Sequence, residues 1–177
     1  MPAETEVGLR AWTDDDLPLL RGLLGDPRMT IHLGGPETEE QLLKRHAKYL
    51  AVDGTGTGRV FVITTGPQRT AAGWLGYWQS EWHGEAAWEM GWSVLPDFQG
   101  RGVASRGAAQ AIQVLEGERT HRFVYAVPAV DNGPSNGVCA KLGFVMVRTE
   151  SLEYPPGSDL WAECAIWRRE LPTAVAG

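Results

Sequence analysis

Two groups of residues in this chain stand where they could do chemistry. The first works through backbone: Gln99, Gly100, Arg101, Gly102, Val103 and Ala104, directly before an alanine-rich run that predicts a helix. Glycines ahead of a helix let a ligand approach the main chain, and the free N–H groups of a helix start hold phosphate. The stretch predicts a pyrophosphate cradle, to which Arg101 adds a charge. A plain tight turn is the alternative. The second is a carboxylate, Glu89, beside Trp88, Met90 and Trp92 at the start of a mostly apolar strand. A charge there is costly unless it is exposed or used. Burial would raise its pKa towards that of a general base. A solvated strand residue, or one that binds an amine by charge alone, is the alternative.

Other candidates surround these two. Trp78 and Trp82 are four apart on one predicted strand, Trp88 and Trp92 on the next, so each pair shares a face. A hairpin would join them into an aromatic wall for a bulky, partly apolar or cationic acceptor; core packing is the alternative. His83 falls in the turn between those strands and is either a substrate contact or an exposed turn histidine. The other histidines show no metal-ligand spacing, and His46 is expected at the surface. Cys139 and Cys164 make neither a metal cluster nor a disulfide framework.

These residues must be held by a scaffold, and the hydrophobic periods outline it. A strand over Val7 to Trp12 leads into a helix capped by Thr13 or Asp14 and ended by Gly25-Asp26-Pro27. After a loop, Arg28 to Pro36, Thr38 caps a helix from Glu39 to about Val52. Strands follow over Arg59–Thr65, Ala71–Trp82 and Ala86–Leu95, with short turns between them that predict an antiparallel meander. Pro96 stops the last of these. A helix over about Gly102–Glu116, a strand over His121–Val127 and a helix over about Ser135–Leu142 come next. Strands from Phe144 and over Leu160–Arg169 follow, with a Pro155-Pro156-Gly157 turn between them and a frayed tail over 171–177. A right-handed crossover makes the Ala86–Leu95 and His121–Val127 strands parallel neighbours. A ligand belongs at their C-terminal ends, beside the glycine turn.

The chain has 177 residues and 43% hydrophobic content, which fits one folded domain over 1–177. It carries a net charge of −6. That balance argues against a nucleic-acid binder and is compatible with a cationic substrate, although acidity also serves solubility alone. No apolar run nears the roughly 18 residues of a membrane span, and the polar N-terminus is unlike a secretory signal. A cytoplasmic protein without membrane partners is expected.

With Gln99, Gly102 and Ala104 at the points of a Gln/Arg-x-x-Gly-x-Gly/Ala signature, the chain resembles the GNAT superfamily of acyl-CoA-dependent N-acetyltransferases. A second segment supports this: Asn132, Ser135 and then Lys141-Leu142-Gly143-Phe144 match that family's Asn-x-x-Ser and Lys-Leu-Gly-Phe helix end. Leu9-Arg10 followed by Asp16, the Asp26-Pro27 helix end and Glu89-Met90-Gly91-Trp92 resemble the ribosomal-protein N-terminal (Rim-type) branch. The resemblance implies an α+β fold, a twisted and mostly antiparallel sheet of about seven strands with one parallel pair and about four flanking helices. It implies acetyl-CoA as co-substrate, no metal, an amine-bearing acceptor and possible homodimers. It also implies direct attack of a neutral amine on the thioester. Glu89 then serves as base. The backbone of Trp92, Ser93 and Val94 runs along the pantetheine arm, Asn132 binds that arm, and Ser135 lies near the leaving sulfur. Many relatives have a tyrosine as general acid where this chain has Cys139. That departure keeps open an acyl-CoA-binding sensor without catalysis on the same fold.

Overall fold

The computed structural model describes residues 6–154 and 156–174. The readings on the first five residues, on Pro155 and on the end of the tail lie outside them. The elements run β1 (Val7–Ala11), α1 (Leu17–Leu24), α2 (Glu39–Val52), β2 (Gly58–Thr65), β3 (Thr70–Trp82), β4 (Glu85–Val94), α3 (Val103–Glu118), β5 (Phe123–Ala126), α4 (Gly133–Lys141), β6 (Val145–Glu153) and β7 (Trp161–Glu170). The strands form one sheet in the order β1-β2-β3-β4-β5-β7-β6. Only β4 and β5 pair in parallel; the other neighbours are antiparallel. This is the mixed α/β architecture expected, with seven strands and four helices among the described residues.

Alternation along the strands divides the interior. On β2, Phe61 and Ile63 face the α3 side, where they meet Ala108, Ala111, Ile112 and Leu115. Their neighbours Val60 and Val62 face the other side, where Leu19, Leu20, Leu23, Leu42 and Tyr49 of α1 and α2 cover the sheet. A strand covered on both faces reads as a continuous apolar run, as Val60 to Ile63 does. Below, the α3 side is the back and the α1–α2 side the front.

Local chemistry sets the helix ends. Asp16 is buried and accepts both guanidinium N–H groups of Arg10, at 2.8 and 2.7 Å, and the backbone N–H and hydroxyl of Thr13. Desolvation would raise its pKa, but these donors hold it below the usual carboxylate range. The first turn, Asp14–Asp16, is a 3-10 turn. Thr38 and Gln41 form a capping box for α2.

Three expectations are corrected. His46 is buried, its Nδ1 accepting from Trp12 Nε1 at 3.0 Å, because α2 turns its Leu42–His46–Tyr49 stripe inward. The tail is ordered at its start, since Leu171 is buried and its N–H donates to the Arg122 carbonyl at 2.7 Å. The last helix begins at Gly133 rather than Ser135, because Asn132 is its N-cap: the Asn132 Oδ1 accepts the Ser135 N–H.

Candidate active site

The site forms where β4 outruns β5. The two strands share ladder positions only at Trp88–Val124 and Glu89–Tyr125. Beyond them β4 continues to Val94 paired with β3 alone, from Met90 opposite Tyr77 to Val94 opposite Gly73. Trp92, Ser93 and Val94 therefore have one lateral side without a strand. An extended ligand can pair there as a strand would.

The chain then turns through a 3-10 segment, Pro96–Phe98, into the glycine stretch. Gly100 and Gly102 have φ of +71° and +72°, the left-handed region that side chains disfavour. A Cβ on Gly100 would stand in open space, so this glycine is needed for conformation rather than packing. The N–H groups of Gly100, Arg101 and Gly102 meet no backbone carbonyl among the described residues. Those of Val103 and Ala104 open α3. Five consecutive donors at the start of a 16-residue helix suit a pyrophosphate. Gln99 is not the sixth. Its N–H donates to the Pro96 carbonyl at 3.2 Å, and its side-chain amide donates to the Val94 carbonyl at 2.8 Å. It fastens the turn to the strand end. Arg101 is exposed, and Arg106, which the sequence reading passed over, reaches back to donate to the Arg101 carbonyl at 2.6 Å. Its place one turn into α3 was the available signal.

Across the gap lies the β5–α4 segment. Because Asn132 spends its Oδ1 on the cap, its amide N–H groups are left for a ligand. Ser135 is half-buried in the first turn of α4. Asn136, also missed, ties this wall together: its amide donates to the carbonyls of Ala129 and Asn132 at 2.9 and 2.8 Å, and its Oδ1 accepts from Trp167 Nε1 at 2.8 Å. An asparagine four residues after another resembles ordinary helix-surface composition, so the sequence carried little signal.

Glu89 points to the front. It stands opposite Trp78 on β3, and Ser80 Oγ donates to its Oε2 at 3.1 Å. Burial pushes the pKa of this carboxyl up, against the opposing pull of the Ser80 hydroxyl and the Trp82 indole. The Trp82 N–H itself makes no hydrogen bond of normal geometry; it approaches the carboxylate without closing on it. Room for the indoles comes from glycine. A Cβ on Gly91 would lie 3.3 Å from the Trp78 ring and 3.4 Å from that of Trp74, so both rings rest on bare β4 backbone. Trp74 also stacks on Tyr49, centroids 5.5 Å apart, and Trp82 on Tyr125, 5.1 Å apart.

The four-tryptophan wall does not form. The β3–β4 register sets Trp78 opposite Glu89 and Gln79 opposite Trp88, so Trp78 and Trp82 face front while Trp88 and Trp92 face back. Trp88 is 2% exposed, edge-on to Tyr77 and His121 in the α3 core, and is not an acceptor contact. His83 lies in its turn with φ +51° and takes a hydrogen bond from Arg148. It belongs to the β6 ion-pair group with Glu150, whose carboxylate is 3.6 Å away. Cys139 is wholly buried among the α3 side chains, and desolvation pushes its thiol up to about 12. A thiol so placed is a poor acid for a departing thiolate.

An open β4 edge leading into a run of N–H groups at a helix start, with a desolvated carboxyl on the same strand, suits an extended, phosphate-bearing co-substrate held beside a second substrate. Residues 6–145 match the model of the acetyltransferase (GNAT) domain, and the chain belongs to that family. It is an acyltransferase with acetyl-CoA as co-substrate. No curated protein matches. Among solved structures it is similar to RimL, a ribosomal-protein alpha-N-acetyltransferase in complex with coenzyme A, at 21% identity over 98% of each chain and TM-score 0.79. It is also similar to an acetyltransferase from Bacillus anthracis, at 19% identity over 93% of this chain and 94% of that one, TM-score 0.75. A third is the spermidine N-acetyltransferase of Vibrio cholerae with CoA and spermine, at 17% identity over 93% and 95%, TM-score 0.74.

Proposed function

We propose that the chain transfers the acetyl group of acetyl-CoA to a primary amine in the cytoplasm, with Glu89 as general base. The amine nitrogen attacks the thioester carbonyl, the C–S bond breaks, and the ammonium proton passes to Glu89, directly or through a water. The observation that carries this reading is the Glu89 carboxyl, desolvated on the front of β4 one residue before that strand loses its β5 partner. The N–H groups of Gly100 to Ala104 hold the pyrophosphate. The open side of Trp92 to Val94 and the Asn132 amide line the pantetheine arm, and the Ser135 hydroxyl meets the leaving sulfur. Amine-specific neighbours are consistent with the acceptor class: one acts on ribosomal protein, another on spermidine.

Glu89→Gln is expected to lower turnover near neutral pH by about 10²-fold or more while CoA affinity is kept. Unchanged turnover removes Glu89 from the mechanism. Cys139 is buried where many relatives carry an acidic tyrosine, so the thiolate leaves without a proton from that position. Acetyl-CoA turnover across an amine panel, followed with a thiol-trapping dye, tests the acceptor class. Tight CoA binding without turnover on any primary amine overturns it.

A further inference from the structure

Large apolar side chains are rarely left in water together, and a cluster of them marks a binding surface. Four such residues meet in one place here. Ile31 (75% exposed), Trp161 (65%), Leu160 (49%) and Tyr154 (39%) line a single cleft of about 270 Å³. They come from two separate segments, the loop between α1 and α2 and the β6–β7 turn with the first residue of β7. A third segment, Ala129 to Asp131, closes the cleft and runs directly into the Asn132 cap.

The position ties this cleft to the acyl site. Ala129 bridges to Cys164 of β7 and belongs to the wall across the gap from β4. The α1–α2 loop carries Met29, which packs against the core beneath α1 and α2 and receives the Gln99 amide on its sulfur at 3.5 Å. The cleft therefore lies between the wall of the opened β4 edge and a loop rooted at the glycine turn.

Its charge limits what fits. Asp131 is the one carboxylate of the lining, whose other titratable groups are His32 and Tyr154, and it faces His32, Nδ1 to Oδ1, at 3.1 Å. With Asp131 facing His32 and the reacting nitrogen placed at Glu89, the lining holds no second carboxylate for a further cationic centre. A polyamine carries several cationic centres and needs several anions. The volume of about 270 Å³ lies just below the range of whole-ligand clefts, about 300 to 1,000 Å³, and suits one aromatic or branched aliphatic group.

We propose that the acceptor is a singly charged primary amine borne by a bulky apolar group, and that this group lies against Ile31, Leu160 and Trp161. The proposal rests on the transfer reading above. Its chemistry is shared by a free arylalkylamine and by a peptide whose first residue is aromatic.

Transfer is measured at saturating acetyl-CoA to 2-phenylethylamine, a phenylalanyl peptide amide, spermidine and a seryl peptide amide. The two apolar amines are expected to exceed the other two in kcat/KM by at least tenfold, and the better of them names the source. Trp161→Ala is expected to raise KM for that amine about tenfold, with kcat and CoA affinity kept. Equal or faster transfer to spermidine or the seryl peptide overturns the acceptor class and leaves transfer standing. An unchanged KM in Trp161→Ala overturns the placement. Calorimetric titration of 2-phenylethylamine and the phenylalanyl peptide into CoA-bound protein isolates the other failure. Trp161-dependent binding without transfer removes the transfer reading and keeps the acceptor class; neither binding nor transfer removes both.

Discussion

In the reaction proposed above, the far end of β4 and its middle handle ligands by different means. At the far end, Gly100 to Ala104 offer main-chain N–H groups, and the neighbouring side chains mostly brace the turn: Gln99 on Val94 and Ser105 on Gly102. In the middle, one side chain, Glu89, is set by its neighbours: Ser80 as donor, Trp82 close by, and Trp74 and Trp78 lying on Gly91. A backbone site is fixed by conformation and is insensitive to most residue identities. A side-chain site is fixed by register and by which face each residue takes. The first serves a co-substrate shared across a family; the second can change with the acceptor.

Four experiments press on that contrast, and the largest effect is expected where the two faces of β4 are told apart. Trp88→Ala should cost about 3–5 kcal/mol of stability, read as a lowered urea midpoint, because it empties a core position. The KM for the acceptor amine should not move. A raised KM with stability intact would return Trp88 to the acceptor side and break the assignment of faces. Gly102→Val forces a branched residue into a left-handed conformation at about 1–3 kcal/mol. It should weaken CoA binding about ten- to a hundredfold by calorimetry, with kcat at saturating CoA retained. Intact CoA affinity would mean that the cradle is only a turn.

The two smaller effects concern protons. Glu89 has a folded pKa raised by burial, so its contribution to stability is present below the unfolded carboxylate pKa and is lost as pH rises through the folded value. Glu89→Gln should therefore melt higher than the parent above that window and not below it. A melting difference independent of pH would show that the carboxyl is not desolvated. Ser80→Ala removes a donor that favours the charged form. The acid limb of the pH–rate profile should then move to higher pH, with its plateau almost unchanged. A profile that stays put would leave Ser80 a bystander.

Much of this was readable before any coordinates. Period, proline and capping chemistry placed the helices and strands, and the glycine turn carried its own signature because it needs particular φ values that few residues accept. The site's side chains were harder. The split of the tryptophans depends on which residue of β4 stands opposite Trp78, and a shift of one residue would reverse every face. Nothing local to Trp88 encodes that. Gln99 matched the family motif, yet its N–H is spent on Pro96; a motif gives residue types, not hydrogen-bond partners. His46 sat among charged neighbours in sequence, and only the docking of α2 on Trp12 shows that it is buried. Asn136 acquires its role from Trp167, 31 positions away.

The two-position seam between β4 and β5 has a consequence for the protein at rest. With so few ladder bonds, the β1–β4 and β5–β7 halves are joined mainly by the side chains under α3 and by Trp82 of β3 stacked on Tyr125 of β5. Amides of β4 past Glu89 on that open side are therefore exchange-prone in deuterated water until a bound arm occupies them. Occupancy then acts by mass action on the whole fold: at a free concentration 100 times Kd it adds about 2.7 kcal/mol. The acyl donor is thereby expected to protect the fold as well as to supply the reaction.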